Sequence, residues 1–362
     1  VTSPFDRAGA ELVVDLGAVV ANWRALAERV RPARCAVTIK ADAYGLGAGP
    51  VGRALVEAGC TEFFVATLDE GLALRRRSAS AVVYVLTGPL PGSEDEFDGA
   101  GLIPVLNTVE QIRAWRGRTA PAALHIDTGM NRLGLPRRDL DRVAEDLIGV
   151  RLVLVMSHLA RSEETDAPMN AAQRDAFADL LSRFPGVPAS LANSSGIFLG
   201  SGFHFDLVRP GYAVYGGNPL PGRPSPMRQV VAMKARIVQV RDVDRGESVG
   251  YGATHCPTGP ARIATVPIGY ADGYRRSLGG RGRAYVEGRA VPVVGRVSMD
   301  LLTLDVSSLP ARLVRPGTVV ELIGSNATLD AVADAAGTIG YEILTGLGAR
   351  VPRRYVRIPA GR

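Results

Sequence analysis

The sequence predicts an α/β protein: an eight-stranded (β/α)8 barrel of the TIM type followed by a mainly β C-terminal domain. Three observations carry this. The first 215 residues alternate short, almost wholly apolar runs with helix-patterned segments, the cadence of a parallel sheet covered on its outer side. Eight such units fit into about 200 residues, a length that suits a closed barrel better than an open sheet. After residues 218–228, NPLPGRPSPMR with four prolines, the pattern changes to short strands joined by Gly-rich turns.

The elements follow in order. Residues 16–31 open as a helix, with Leu16, Val19, Val20, Trp23, Leu26, Ala27 and Val30 on one stripe. Residues 35–41, CAVTIKA, form the first barrel strand, with a helix over 51–58 behind it. Strands then fall at 63–68, 82–87, 103–107, 122–127, 152–158, 189–193 and 207–211, and helices at 69–77, 109–115, 138–147 and 170–184, with a short one after Ser195. The second domain carries strands at 234–240, 262–266, 284–286, 293–297, 302–305 and 319–323, and short helices at 329–335 and 341–347. The expected division is a barrel over 12–217, a linker over 218–228, and a β domain over 229–362 that residues 1–11 join.

Composition narrows the function classes. The chain has 362 residues, 46% of them apolar, which excludes a disordered chain and allows two domains with cores of their own. Lys and Arg number 42 against 36 Asp and Glu, a net charge of +6, and no basic tract is interleaved with aromatics. Nucleic acid is therefore not the expected partner. Cys35, Cys60 and Cys256 stand apart with no CxxC, and His125, His158, His204 and His255 show no metal-ligand spacing, so no metal is expected. The charged start, with Asp6, Arg7, Glu11 and Asp15, lacks a secretory apolar core, and the longest uncharged run, 185–205, is too polar for a membrane span. A cytoplasmic protein with no membrane partner is the expectation, and a leader ahead of Val1 stays open.

In a barrel of this type the chemistry sits at the C-terminal strand ends. Lys40, Asn107, His125, Asp127, His158, Asn193, Ser194 and Arg209 fall there and converge on one mouth. A lysine among the apolar neighbours of VTIKA is poorly placed for water. Desolvation lowers its pKa and makes an imine-forming amine, unless the side chain snorkels out or pairs with Asp42. The Arg209-Pro210-Gly211-Tyr212 turn and Ser194 occupy the loops after strands eight and seven, where such barrels hold phosphate. An aldehyde cofactor bearing a phosphate would use both features. Gly47-Ala48-Gly49-Pro50-Val51-Gly52 also fits GxGxxG, with Asp69 and Glu70 about 20 residues on, but ADAYGL separates it from its strand, which argues against a dinucleotide site. In the β domain, Tyr251 and Tyr270 each sit in a Gly-rich turn, presented for chemistry or packed as turn rings.

At these residues the chain resembles the alanine racemases, pyridoxal-phosphate enzymes of barrel type (fold type III). The matching blocks are AVTIKADAYGLG at 36–47, HIDTGMNRLG at 125–134, MSHLA at 156–160, LANSSG at 191–196, VRPGYAVYG at 208–216, VGYGAT at 249–254, PIGYADGYRR at 267–276 and VGRVSMD at 294–300. They run in family order over nearly the whole chain. The resemblance implies interconversion of L- and D-alanine, supplying D-alanine for peptidoglycan, in a head-to-tail homodimer whose sites are shared between subunits. It implies that Lys40 carries the cofactor as a Schiff base and acts as one base, on the D-substrate side. Tyr251 from the partner subunit would be the other base, on the L side. Arg209 would contact the pyridine nitrogen, with His158 beside the ring. Tyr44, Asn193, Ser194, Gly211 and Tyr212 would bind the cofactor and its phosphate. Arg132 and the Met299 backbone N–H would bind the substrate carboxylate, and Tyr270 and Asp300 would line the access corridor.

Three departures stand out. His125 occupies the place where many members have a lysine modified to a carbamate that holds the arginine. A neutral imidazole cannot supply that charge, so Arg132 is expected to be held another way. Ala349 replaces a phosphate-binding tyrosine of some relatives, and Ser190 replaces a histidine that assists the tyrosine base. Three alternatives remain at this point. They are a broader racemase acting on serine, lysine or arginine, a non-catalytic carrier of pyridoxal phosphate, and a barrel decarboxylase. The β domain with its tyrosine argues against the carrier, and Arg209 in place of a carboxylate argues against the decarboxylase.

Overall fold

The computed structural model describes residues 4–357, so residues 1–3 and 358–362, expected to belong with the β domain, lie outside the described residues. The chain divides into two compact units, residues 19–228 in one and residues up to 18 with those from 229 onward in the other.

The first unit is built on parallel strands. Val37–Thr38, Glu62–Val65, Val82–Val85, Ile103–Leu106, Ala122–Asp127, Leu152–Met156 and Ala189–Ser190 neighbour one another in chain order, every pair parallel. Leu207–Val208 pairs in parallel with Arg34–Cys35. Backbone hydrogen bonds connect these ends: Asp206 N–H donates to Ala189 O (3.0 Å) and Arg209 N–H to Ala192 O (2.9 Å). Ala36 N–H donates to Val208 O (3.0 Å) and Thr38 N–H to Pro210 O (2.8 Å). Sequence and structure agree on strands such as Glu62–Val65 and Ile103–Leu106 because every residue there is buried and the runs FFV and IPVL are apolar.

Ala36 between the first two short strand segments, and Phe64, Tyr84, Ile103, Val105, Ala123, Leu154, Met156 and Leu207 from six strands, make one core cluster. Phe64 and Tyr84 stack at 4.5 Å with their planes 10° apart. Burying side chains of this size contributes about 1.5–3 kcal/mol each. The outer helices bury one stripe each. In Val109–Trp115, the Thr108 hydroxyl accepts from Gln111 N–H (3.2 Å) and caps the first turn, and Val109, Ile112 and Trp115 face inward. Trp115 meets Phe97 edge-on at 6.0 Å.

Two local expectations are corrected. The helix expected over 138–147 is broken into 3-10 turns at Arg137–Asp139 and Asp141–Val143 and a five-residue helix, Ala144–Ile148. The first strand, expected over 35–41, ends at Thr38, and the chain turns sharply from Lys40 onward.

The second unit is a nine-stranded sheet. Its order is Gln239–Val243, Ala261–Val266, Leu302–Asp305, Arg289–Val294, Arg283–Val286, Val319–Ile323, Val231–Arg236, Ala10–Asp15 and Arg353–Val356. Only the last pair is parallel. Ala10–Asp15, unread as a strand from sequence, lies between strands more than 200 residues away, with Leu12 opposite Met233 on one side and Arg353 on the other. The single strand expected at 234–240 is two, separated at Ile237 and Val238. Two helices, Leu329–Ala336 and Gly340–Thr345, accompany the sheet. Among the described residues no helix is long and apolar enough to cross a membrane.

Candidate active site

Lys40 opens a left-handed turn. Ala41, Asp42, Ala43 and Tyr44 have φ of 51°, 53°, 55° and 57° in succession, none of them glycine. An L-residue in this conformation costs about 1–2 kcal/mol, and such strain collects where function requires a fixed geometry. Within the turn, Ala43 N–H donates to Ile39 O (2.9 Å) and Gly45 N–H to Ala41 O (2.7 Å). From outside, Glu70 Oε1 accepts from Ala41 N–H (2.7 Å). Asp42 Oδ1 accepts from Ala48 N–H (2.7 Å), so this carboxylate caps the helix Ala48–Glu57 rather than pairing with Lys40. Tyr44, buried at the end of the turn, packs on Tyr215 at 4.9 Å, and the Tyr215 hydroxyl donates to Thr38 O (2.9 Å). The glycines of the GxGxxG match serve this packing. A Cβ on Gly49 would strike the Arg77 guanidinium, and one on Gly52 would crowd Leu74 and Ile39.

The Lys40 side chain is half-buried and makes no ion pair among the described residues. Burial lowers its pKa, the nearby Arg132 lowers it further, and Glu70 partly opposes both. His158 feels Arg209, His125, Arg132 and Lys40, and with burial they hold its imidazole well below the usual histidine range. Lys40, Arg132, His125, His158 and Arg209 thus share one electrostatic neighbourhood. Arg209 is 5% exposed and held in place: its guanidinium donates to Ser190 Oγ, to Ser157 O (2.6 Å) and to Leu191 O (3.2 Å). It faces His158 Nδ1 at 3.4 Å. Arginine only donates, so that nitrogen is the acceptor and the imidazole is neutral. Ser190 passes the chain on, donating to Leu207 O (2.5 Å), and is therefore a partner of Arg209.

His125 is neutral too, its pKa pushed down to about 4 first by burial and then by Arg209. Asn107 uses its amide N–H groups on Leu86 O (3.0 Å) and Val105 O (2.7 Å), so its oxygen faces His125 Nδ1 at 2.9 Å. The imidazole proton is on Nδ1, and Nε2 is left as an acceptor. Arg132 itself is exposed, with no hydrogen bond or ion pair among the described residues.

Ser194 Oγ accepts from Gly211 N–H (3.1 Å) and Ala213 N–H (3.2 Å). A Cβ on Gly211 would collide with the Tyr44 hydroxyl, and one on Gly217 with the Tyr212 ring. The Ser194 hydroxyl, which accepts from both amides and so keeps its own proton to donate, is therefore gathered with two tyrosines where only glycine leaves room, a cradle for an anion. Asn193 Oδ1 instead accepts from Ser162 Oγ (2.9 Å) and Gly196 N–H (2.9 Å), fixing the loop beside that cradle. A half-buried amine, a neighbourhood of cations and this cradle fit pyridoxal phosphate, whose aldehyde and phosphate need those groups.

Tyr251, Met299, Tyr270 and Asp300 belong to the other unit. Tyr251 is 74% exposed on the 3-10 turn Tyr251–Ala253. Tyr270 N–H donates to Ser298 O (3.0 Å) and Ala271 N–H to Met299 O (3.1 Å), which zips their two loops together. The Met299 N–H has no acceptor among the described residues. Arg350, beside Ala349, donates to Asp300 (2.7 Å) and twice to Asp272 (2.8 and 2.9 Å). Sequence reasoning missed Glu70, which it weighed only as a dinucleotide ribose contact. It also missed Gln173, whose amide donates to His158 O (2.9 Å) and accepts from Ala160 N–H (2.8 Å). The Thr67–Glu70 capping spacing was the available signal for the first.

Residues 14–219 match the family "Alanine racemase, N-terminal domain" and residues 230–355 "Alanine racemase, C-terminal domain". The alanine racemase of Rhodospirillum rubrum is 55% identical over 98% of each chain. The alanine racemase of Bartonella henselae, solved with covalently bound pyridoxal phosphate, superposes with a TM-score of 0.92 at 39% identity, over 96% of this chain and 99% of that one. The biosynthetic alanine racemase of Pseudomonas aeruginosa gives 0.91 at 36% identity, with the same coverage. With both family domains matched in order along one chain, the protein belongs to the alanine racemases, isomerases that depend on pyridoxal phosphate.

Proposed function

We propose that this racemase works with two bases, Lys40 and Tyr251, in a homodimer whose partner subunit supplies the tyrosine. The observation that carries the reading is Lys40, a half-buried amine with a lowered pKa and no ion pair among the described residues, set on a strained turn amid cations. Racemisation removes the Cα proton from one face and returns one to the other, which needs a base on each face. Bound pyridoxal phosphate supplies the electron sink that makes this proton removable. Lys40 Nζ would hold the cofactor aldehyde, and as a free amine would take or return the proton on the D face. Tyr251 Oη would do so on the L face.

The remaining roles are those the family resemblance implies, and the observed contacts support some of them. Ser194, Gly211, Tyr212 and Tyr44 hold the phosphate, with Asn193 bracing their loop. Arg209, held rigid by its three acceptors, presents a cation to the pyridine nitrogen and disfavours its protonation, which limits side reactions. His158 supports the ring and buttresses Arg209. Arg132 and the Met299 N–H receive the substrate carboxylate, and Tyr270 and Asp300 line the access corridor. The barrel reading belongs to the same proposal. We infer that the parallel strands of residues 19–228 close on themselves, supported by the hydrogen bonds from Leu207–Val208 and its flanks to both the first and the seventh strands. A PLP-binding barrel that ends near 217 and begins near residue 19 rather than 12, because Ala10–Asp15 pairs in the nine-stranded sheet, a linker over 218–228, a β domain from 229, a cytoplasmic setting and D-alanine for peptidoglycan complete the proposal.

Because His125 is a neutral acceptor, added bicarbonate is expected to leave the activity of dialysed enzyme unchanged. A rise on titrating bicarbonate would contradict this. The test of the function is chiral product analysis of purified protein with pyridoxal phosphate and L-alanine, L-serine or L-lysine in parallel. D-alanine is expected to form rapidly, with little product from the others. Comparable rates on serine or lysine would establish the broader racemase instead. No product from any, despite a visible imine absorbance, would favour the cofactor carrier.

A further inference from the structure

We propose that Glu70 is a positioning residue for Lys40: its carboxylate pins the first peptide of the left-handed turn to the start of the neighbouring helix. The proposal rests on the reading of Lys40 as cofactor anchor and base.

The turn does not hold itself. Four L-residues in a left-handed conformation are intrinsically disfavoured, and their own hydrogen bonds begin only at Ala43 N–H. Ala41 N–H, on the peptide that joins it to Lys40, is one of the unmatched donors at the start of the turn. Glu70 Oε1 takes it at 2.7 Å. The other oxygen, Oε2, accepts from Ala66 N–H (2.7 Å) and Thr67 N–H (3.4 Å). One carboxylate therefore ties the loop after the first strand to the loop after the second, through three backbone donors. Charge-assisted bonds of this kind are about twice as strong as neutral ones. Asp42 braces the far side of the turn and Tyr215 its base, and Glu70 reaches the peptide that bears Lys40. A glutamine cannot do the same work, because one of its two arms would turn a donor toward a donor.

Glu70 is also the N3 member of a capping box with Thr67, so a purely structural role must be separated from the positioning role. Thr67→Ala removes the other half of that box and leaves the bond to Ala41 intact. It is the control.

The decisive measurement is amide exchange at Ala41 in the holoenzyme, read by fragmentation mass spectrometry. Ala41 is exposed, and among the described residues its N–H is bonded to Glu70. Protection is expected in the wild type, exchange at least about tenfold faster in Glu70→Gln, and no change at Ala41 in Thr67→Ala. In the same variant kcat for alanine is expected to fall about tenfold or more, with KM little changed, the mark of a displaced reacting group. A third readout uses cofactor-stripped enzyme and acylation of Lys40 against pH. The charged or titratable groups facing Lys40 are Arg132, His158 and Glu70, and Glu70 is the one that favours the ammonium. Its loss should move the midpoint to lower pH, while Thr67→Ala should not.

Equal Ala41 exchange in wild type and Glu70→Gln would overturn the proposal, as would Thr67→Ala reproducing every change. Should Glu70→Gln fail to fold, an unprotected Ala41 amide in the wild type would overturn it alone. Failure of the underlying reading looks different: a Lys40→Ala enzyme that still forms an imine with pyridoxal phosphate would remove Lys40 as anchor and leave the Ala41 result untouched.

Discussion

Lys40→Ala is expected to abolish racemisation, lowering kcat for L- and D-alanine by at least about 10⁴-fold, because one substitution removes both the proposed anchor of the cofactor and one of the two proposed bases. The imine absorbance with pyridoxal phosphate should disappear with it. The lysine itself is not in the core, and no ion pair among the described residues depends on it, so melting temperature should change little. Retained absorbance at full occupancy would refute the assignment of Lys40. The wild-type rate should also depend on pH in a stated direction. The free amine is the base, so rate rises as pH passes upward through the pKa of Lys40. Burial and Arg132 place that pKa below the ordinary lysine value, outweighing the opposing Glu70. The rise therefore comes at lower pH than for a solvated lysine, and a profile with its limb at ordinary lysine pH would show that the site stays hydrated.

Tyr251→Phe is expected to split the two half-reactions. Removing the hydroxyl should cut loss of the Cα proton from L-alanine by about 10²–10⁴-fold while leaving imine formation intact. In D2O, D-alanine should still exchange its Cα proton through Lys40 but return as D-alanine. That asymmetry separates a two-base enzyme from a one-base enzyme, in which both faces would slow together. Full activity in both directions would end the assignment. Tyr251 is 74% exposed on the described chain and sits on a turn with Gly250 and Gly252 at φ of 76° and 74°. Replacing the ring hydroxyl there removes no hydrogen bond among the described residues, so the variant should fold normally.

Most of the parallel strands are legible in the amino-acid sequence itself. Runs such as FFV at 63–65 and IPVL at 103–106 are buried on both faces, and apolar content alone marks them. The strands of the second unit are legible where they alternate and not where they look polar. Arg353–Val356, RRYV, and Ala10–Asp15 are not among the strands expected from sequence. Both are strands because they pair with each other and, for Ala10–Asp15, with Val231–Arg236. Pairing across such distances leaves no periodic trace in a local window. The helix expected over 138–147 fails for the opposite reason: its pattern is helical, but packing breaks it into short turns.

The candidate site divides in the same way. Lys40, His158, Ser194 and Arg209 can be named from sequence because each is a polar residue closing an apolar strand, and a parallel barrel turns all such closures to one mouth. The family blocks add Arg132 and the second-unit residues. The residue types and their order along the chain are thus determined by sequence alone, and with them the family and its chemistry. Conformation and pairing are decided only by the tertiary structure. ADAY contains no residue that requires a positive φ, yet Glu70, Asp42 and Tyr215 hold it left-handed. Asn107 decides that His125 is a neutral acceptor, and Arg209 decides the same for His158. The reason is physical: burial and strand periodicity are properties of neighbours in the chain, whereas a strained turn or a tautomer is set by hydrogen bonds from residues that meet only after the chain has folded.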